Sequence, residues 1–188
     1  DVIDQTTNVL IVSGVLHPDL GMLKKAITTN EQRSVTFIKP QDAAAVLNDY
    51  QLVILYQPDS AFAPVYKQLK KLKKHTFVFT GLQTDWSFVN KAQNYYSKEV
   101  VNQNERVTAS LNSGYGAFGI SPIGFADFPP LQTKFGSLYI NTPHQTILEQ
   151  YVDGIASESA MLATIEIDGT RHAIWDGEEL WKWRSQSY

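Results

Sequence analysis

The chain contains no cysteine among its 188 residues. That excludes disulfides, thiolate metal sites and a cysteine nucleophile together. It leaves the compartment open, because cytosolic and periplasmic chains alike can lack cysteine. Long apolar runs are missing too: no stretch reaches the roughly 20 residues that a membrane-spanning helix needs. The basic start and apolar core of a signal peptide are absent. There is no excess of positive charge either. The net charge is −3, and a nucleic-acid interface ordinarily needs a basic face. The one run of like charge, "KQLKKLKK" at 67–74, reads as the solvated side of an amphipathic helix. The first loop, "SGVLHPDLG", holds neither G-x-G-x-x-G nor G-x-x-x-x-G-K-[ST], which argues against those phosphate-binding routes.

What is present is a chain 43% hydrophobic and 19% charged, enough to bury one core. We read residues 1–188 as a single domain. The opening "DVIDQTTNVLIVSG" runs almost directly into a strand, and the end follows closely on a tryptophan-rich segment. The expectation is a domain cut from a longer protein.

The pattern along the first half is strand, then helix, four times. "NVLIVSG" (8–14) is a near-continuous apolar run, as in a strand buried on both faces. "HPDLGMLKKAI" follows, with Asp19 placed to cap a helix and Leu20, Leu23 and Ile27 at helical spacing. Further strands are expected at 35–38, 52–56 and 77–80, with helices in "PQDAAAVLNDY", "FAPVYKQLKKLKK" and "TDWSFVNKAQNYY". Such alternation predicts an α/β fold, a flavodoxin-like, doubly wound and mostly parallel sheet. The second half is richer in Gly, Pro and aromatics and reads as strand fragments and loops. "QTILEQYV" is expected as a strand. "SAMLATIEIDGTRHAIWDG" is expected as a C-terminal β-hairpin extension turning at Asp-Gly.

Ligands of such sheets bind beyond the carboxyl ends of the strands. That edge gathers His17, Asp19, Gln57, Asp59, Gln83 and Trp86. The two glutamines both donate and accept, Trp86 would offer an apolar platform to a peptide or sugar face, and the helix starts present unpaired N–H groups. The competing expectation is an edge closed over by the aromatic loop "SGYGAFG" (113–119). The four histidines, 17, 75, 144 and 172, are scattered, so no metal site is expected.

The stretch "TFVFTGLQTDW" (76–86) has the strand–turn–helix shape of a nucleophile elbow. Leu82 or Gln83 would hold its apex, and neither is a nucleophile. Thr80 and Thr84 carry hydroxyls, with Thr84 better explained as the cap of the next helix. At the other end, "GEELWKWR" (177–184) places Trp181 and Trp183 two apart, so they cannot share a helical face. We expect Trp181, Trp183 and Arg184 to form a structural lock, with at least one tryptophan largely buried and Arg184 bonded to a carboxylate or to carbonyls.

Taken together, "VLIVSGVLHPDLGMLKKAI", "YQLVILYQ", "FVFTGLQTDW", "FPPL…FG" and the terminal "GEELWKWR" resemble a class I glutamine-amidotransferase-like domain. The resemblance is to the copies found in large envelope proteins of Bacteroidetes-type bacteria, some with a von Willebrand A-like region upstream. These are similar in fold to trehalose-utilisation-type domains. It runs from about residue 8 to residue 184, and the "LWKWR" ending carries most of it. True amidotransferases use a Cys at the elbow with a later His and acid. This chain has no Cys and no later H-x-E pair. The resemblance therefore implies a catalytically inert domain, with no cofactor, serving binding or assembly at a periplasmic or other extracytoplasmic face. The partners it implies are other domains of a parent envelope protein, a peptide or a glycan. The alternative function is a hydrolase using His17 with Asp19 or Asp59, and the alternative location is the cytoplasm.

Overall fold

The computed structural model describes residues 6–112 and 125–184. The loop 113–119 lies outside the described residues. Eleven strands and five α-helices are assigned within them. The first half runs β1 (Thr7–Ser13), α1 (Pro18–Thr28), β2 (Arg33–Ile38), α2 (Pro40–Ala43), β3 (Leu52–Tyr56), α3 (Ala63–Leu69), β4 (His75–Thr80) and α4 (Trp86–Ala92). The second half is mostly strand: β5 (Tyr96–Lys98), β6 (Asn104–Leu111), β7 (Leu131–Lys134), β8 (Leu138–Ile140), β9 (Gln145–Val152), β10 (Ile155–Ile167) and β11 (Thr170–Asp176), closing with α5 (Trp181–Arg184).

Nine strands form one sheet in the order β2-β1-β3-β4-β11-β10-β9-β6-β7, and β5 pairs with β8 apart from it. The first four strands pair in parallel, as βαβ units require. The fold is a flavodoxin-like α/β arrangement. β1 shows why: Val9 and Ile11 enter one apolar layer, Leu10 and Val12 another, so both faces of the strand are covered. Helix α3 supplies Val65 and Tyr66 to the second layer, while α1 supplies Leu20 and Leu23 to the first.

The C-terminal hairpin is not an annex to this sheet. Its second strand, β11, inserts beside β4 in parallel, pairing His172 with Thr76 through to Asp176 with Thr80. Its first strand, β10, runs antiparallel to β11 and carries the antiparallel half of the sheet. The turn has positive φ at both Asp168 (50°) and Gly169 (81°), the geometry that makes Asp-Gly suit a tight hairpin. A second Asp-Gly pair, Asp153 and Gly154, turns β9 into β10 in the same way, and β10 begins at Ile155, ahead of the apolar run that marks it in the sequence.

Two helices are shorter than the sequence suggests. The segment after β2 is one turn of α-helix followed by a 3-10 turn at Leu47–Asp49. Helix α4 stops at Ala92 because Gln93 turns extended. The Gln93 side chain then donates to the carbonyls of Val89 and Tyr96 and accepts from the N–H groups of Tyr95 and Tyr96. It takes over the hydrogen bonds that further helix would have made, and Tyr96 is free to begin β5.

Candidate functional site

Four loops meet at the carboxyl ends of β1, β3, β4 and β11. The last of these brings Gly177, Glu178 and Glu179, which the sequence offers only as partners for Arg184. His17 caps α1: its Nδ1 accepts from the Asp19 N–H at 3.0 Å. Asp19 therefore lies inside the first turn and is not the cap. With Nδ1 accepting, the ring proton sits on Nε2, which donates to Glu178 Oε2 at 2.8 Å.

Asp19 is fully buried and faces the C-terminal segment. Its carboxylate accepts from the Tyr56 hydroxyl (3.0 Å), the Glu179 N–H (2.9 Å) and the Trp181 N–H (2.9 Å). Burial, then the Asp19 charge, drive the Tyr56 phenol well above its ordinary pKa, so it remains a donor. Gln57 follows Tyr56 with a left-handed φ of 47°, a conformation that costs a non-glycine residue about 1–2 kcal/mol. Three bonds hold it there. Its N–H reaches the Phe79 carbonyl at 2.7 Å, its Nε2 the Tyr56 oxygen at 3.3 Å, and its Oε1 accepts from the Gln83 N–H at 2.5 Å.

The turn after β4 is thus tied from several sides. Gly81 N–H donates to Thr84 Oγ1 (2.9 Å), Leu82 N–H to Glu178 Oε1 (2.7 Å), Gln83 N–H to Gln57, and Thr84 N–H to the Gly81 carbonyl (3.3 Å). Four consecutive backbone donors are all engaged within the protein. Gly81 is required by crowding: a Cβ there would lie 2.9 Å from the Glu178 Cβ and 3.1 Å from Gln57 Nε2. Thr84 closes this turn, and the cap of α4 is Asp85, whose Oδ1 accepts from Phe88 N–H.

The structure brings His17, Asp19, Gln57 and the backbone of Gln83 together, and adds Tyr56, Glu178 and Glu179. It separates the others. Asp59 caps the 3-10 turn Ser60–Phe62 through the Ala61 N–H. Trp86 is 1% exposed and packs against Tyr96, so it is core and not an open platform. Trp181 is 40% exposed, under the Lys182 ammonium. Trp183 is half-buried among Trp175, Phe125 and Phe128, and donates from Nε1 to the Pro129 carbonyl at 2.8 Å. Arg184 is half-buried. Among the described residues no group of three His, Asp or Glu is placed to hold a metal ion.

A base needs a free lone pair and an oxyanion site needs free donors. Both ring nitrogens of His17 are engaged, and so are the amides of the turn. The arrangement closes on itself. A signal for Glu178 did exist: an acid two residues past the last apolar strand, "AIWDGE". Its use required knowing that this strand joins the parallel half of the sheet.

His172 lies far from this site, near the amino ends of β4 and β11. Its Nδ1 is 2.6 Å from Thr76 Oγ1 and its Nε2 is 3.1 Å from Thr170 Oγ1. Thr170 donates its own proton to the Ile167 carbonyl, so it accepts from Nε2, and His172 is neutral. Burial first, then His75, hold its pKa below the ordinary 6.5. A lowered pKa means that the unfolded chain binds the proton more readily. Stability therefore falls as pH drops through 6.5 towards the folded-state value, and the loss is complete below that value. We expect wild type to lose more unfolding free energy than His172→Asn between pH 7.5 and 5, measured by urea denaturation. Equal losses would show that His172 titrates alike in both states.

No family model matches the chain, and no curated protein does. Solved structures do match in fold. A cytoplasmic protein from Salmonella typhimurium LT2 superimposes with a TM-score of 0.60 at 9% identity, covering 96% of this chain and 91% of that one. A putative GMP synthase glutamine-free-named subunit is not needed for the comparison to extend further: a putative GMP synthase protein from Thermoplasma acidophilum gives 0.55 at 7% identity, over 89% and 82%. Alpha-L-fucosidase isoenzyme 2 from Paenibacillus thiaminolyticus gives 0.53 at 9% identity, over 90% of this chain and 29% of that larger one. No helix among the described residues is long and apolar enough to cross a membrane. At these identities the likeness is one of fold, and the second neighbour makes that fold weakly consistent with the amidotransferase-like class.

Proposed function

We propose that this chain is a catalytically inert amidotransferase-like domain that acts by binding or assembly within a larger protein of the cell envelope. One observation carries the inert reading: every N–H from Gly81 to Thr84 is already bonded inside the protein. An elbow that stabilises an oxyanion must keep such donors open. Here Glu178 occupies the Leu82 amide with a negative charge, which would repel a developing oxyanion. Leu82 and Gln83 stand where a nucleophile would be needed. The hydrolase alternative would need His17 as a base, and that ring has no free nitrogen.

The binding half is supported beside the closed edge. A groove of about 940 Å³ runs between the end of β1, α1 and β2, walled by Val15, Leu16, Pro18 and Phe37. Leu16 is 98% exposed, a position that costs an isolated domain solubility and suits a contact. The envelope setting is supported by the resemblance in the sequence.

The purified chain is expected to release no ammonia from glutamine and to turn over no activated ester above a heat-denatured control. Turnover that disappears in His17→Ala would overturn the inert reading and favour the hydrolase. For the binding half, Leu16→Asp should weaken capture of the flanking segments of the parent protein supplied in trans. Capture unchanged by that variant would remove this surface.

A further inference from the structure

At the opposite end of the sheet a second cavity, of about 460 Å³, lies between α3, the loop after α4 and the starts of β4 and β11. Its volume falls within the range of small-molecule sites. Its wall is largely apolar, with Leu55, Leu69, Val78, Ile165 and Ala173 among the lining residues. Natural interiors are close-packed, so an apolar space of this size is a departure that calls for a reason.

Two further features of the lining point to an occupant. Tyr66 contributes a hydroxyl that is buried and has no hydrogen-bond partner. Burial holds its pKa well above the ordinary value, so the group is a proton donor left without an acceptor. At the exposed side stand Lys70, Lys73 and Lys74 against a single acid, Asp168. Lys74 is tied to the carbonyls of Asn48 and Tyr50. The ammonium groups of Lys70 and Lys73 have no partner among the described residues. The lysine run that composition explains only as solvated surface thus borders an apolar hole.

We infer that this cavity is a binding site for a small amphipathic anion, with an aliphatic or aromatic body in the apolar space and one carboxylate-like head at Lys70 and Lys73. The apolar wall supplies affinity through burial, and the lysines choose the charged head over a neutral one. The rim of the site is rigid. Gln93 fixes the backbone of Tyr95 and Tyr96, and Tyr95 stacks on His172 with ring centroids 5.8 Å apart. This site is separate from the closed carboxyl edge and stands whether or not that edge is inert.

The test is calorimetric titration of the intact chain with octanoate, octanol and acetate. Octanoate should bind at one site, octanol at least tenfold more weakly, and acetate not at all. Lys70→Gln with Lys73→Gln should weaken octanoate at least fivefold and leave octanol unchanged. Ala173→Leu should fill the space and abolish binding of both, with the fold checked by circular dichroism. If Ala173→Leu does not fold, Leu69→Trp on α3 blocks the same space from the helix side. Absence of octanoate binding, equal affinity for octanol, or octanoate binding untouched by the lysine pair would each overturn the proposal.

Discussion

Asp176→Ala is expected to lower the unfolding free energy by about 3–5 kcal/mol, the cost of leaving a buried partner charge uncompensated. For a chain of this length, that is a drop in Tm of about 6–20 °C. Asp176 is the last residue of β11 and is completely buried, as is Lys98 at the end of β5. Their ion pair spans 2.8 Å. The Lys98 ammonium also donates to Thr133 Oγ1 at 2.7 Å and lies 5.8 Å from the centre of the Trp86 ring. The Asp176 carboxylate accepts from Thr80 (2.8 Å), Thr133 (2.8 Å) and Gln150 (3.0 Å) besides. Removing the carboxylate alone strands an ammonium and three neutral donors in a dry interior. Removing both charges together is far milder, since the desolvation cost goes with them. Lys98→Met with Asp176→Ala should therefore lose at least 1 kcal/mol less than the sum of the two single variants, a coupling that a double-mutant cycle reads directly. A loss below about 1 kcal/mol for Asp176→Ala would show that water reaches this pair.

That network also marks where sequence reasoning stops. The four parallel strands were legible because each is a local run of apolar and β-branched residues, and periodicity is a local property. The Asp-Gly turn at 168–169 was legible for the same reason. The insertion of β11 beside β4 was not, because it depends on pairing across nearly a hundred residues. Lys98, Thr133, Gln150 and Asp176 are each ordinary in their own window, and only the folded sheet makes them one cluster. At the candidate site His17, Asp19 and Gln57 were found from their position after apolar strands. Trp86 was misplaced as an open platform, since the same four-residue window fits an inward or an outward ring. The expected cap at Thr84 fell one residue short, because Asp85 serves α4 while Thr84 closes the turn before it.

Truncation after Gly177 is expected to remove the largest single share of stability, at least about 5 kcal/mol, against a typical total of roughly 5–15. The segment contributes in three separable ways. Leu180 is buried in the first apolar layer, and truncating such a side chain costs about 2–5 kcal/mol. Trp183 sits 5.1 Å from Phe128 and 5.6 Å from Trp175, ring centre to ring centre. Its loss exposes the aromatic cluster on that face. Third, Asp19 would lose the N–H groups of Glu179 and Trp181 and remain a buried carboxylate bonded to Tyr56 alone. Asp19→Ala isolates this last contribution from the opposite side. It leaves two amides and a phenol without an acceptor, at about 1–3 kcal/mol each where burial is complete, and so should cost less than truncation but more than about 1 kcal/mol. The two variants also differ at the turn after β4. Asp19→Ala keeps Glu178 on the Leu82 amide, whereas truncation frees that amide, so hydrogen exchange at Leu82 should quicken relative to the global opening rate only in the truncated chain. A truncated protein that melts within a degree or two of the intact one would show that the segment rests on the fold without holding it. Exposed Trp181 and the groove beside Leu16 would then be the surfaces by which the C-terminal segment is engaged.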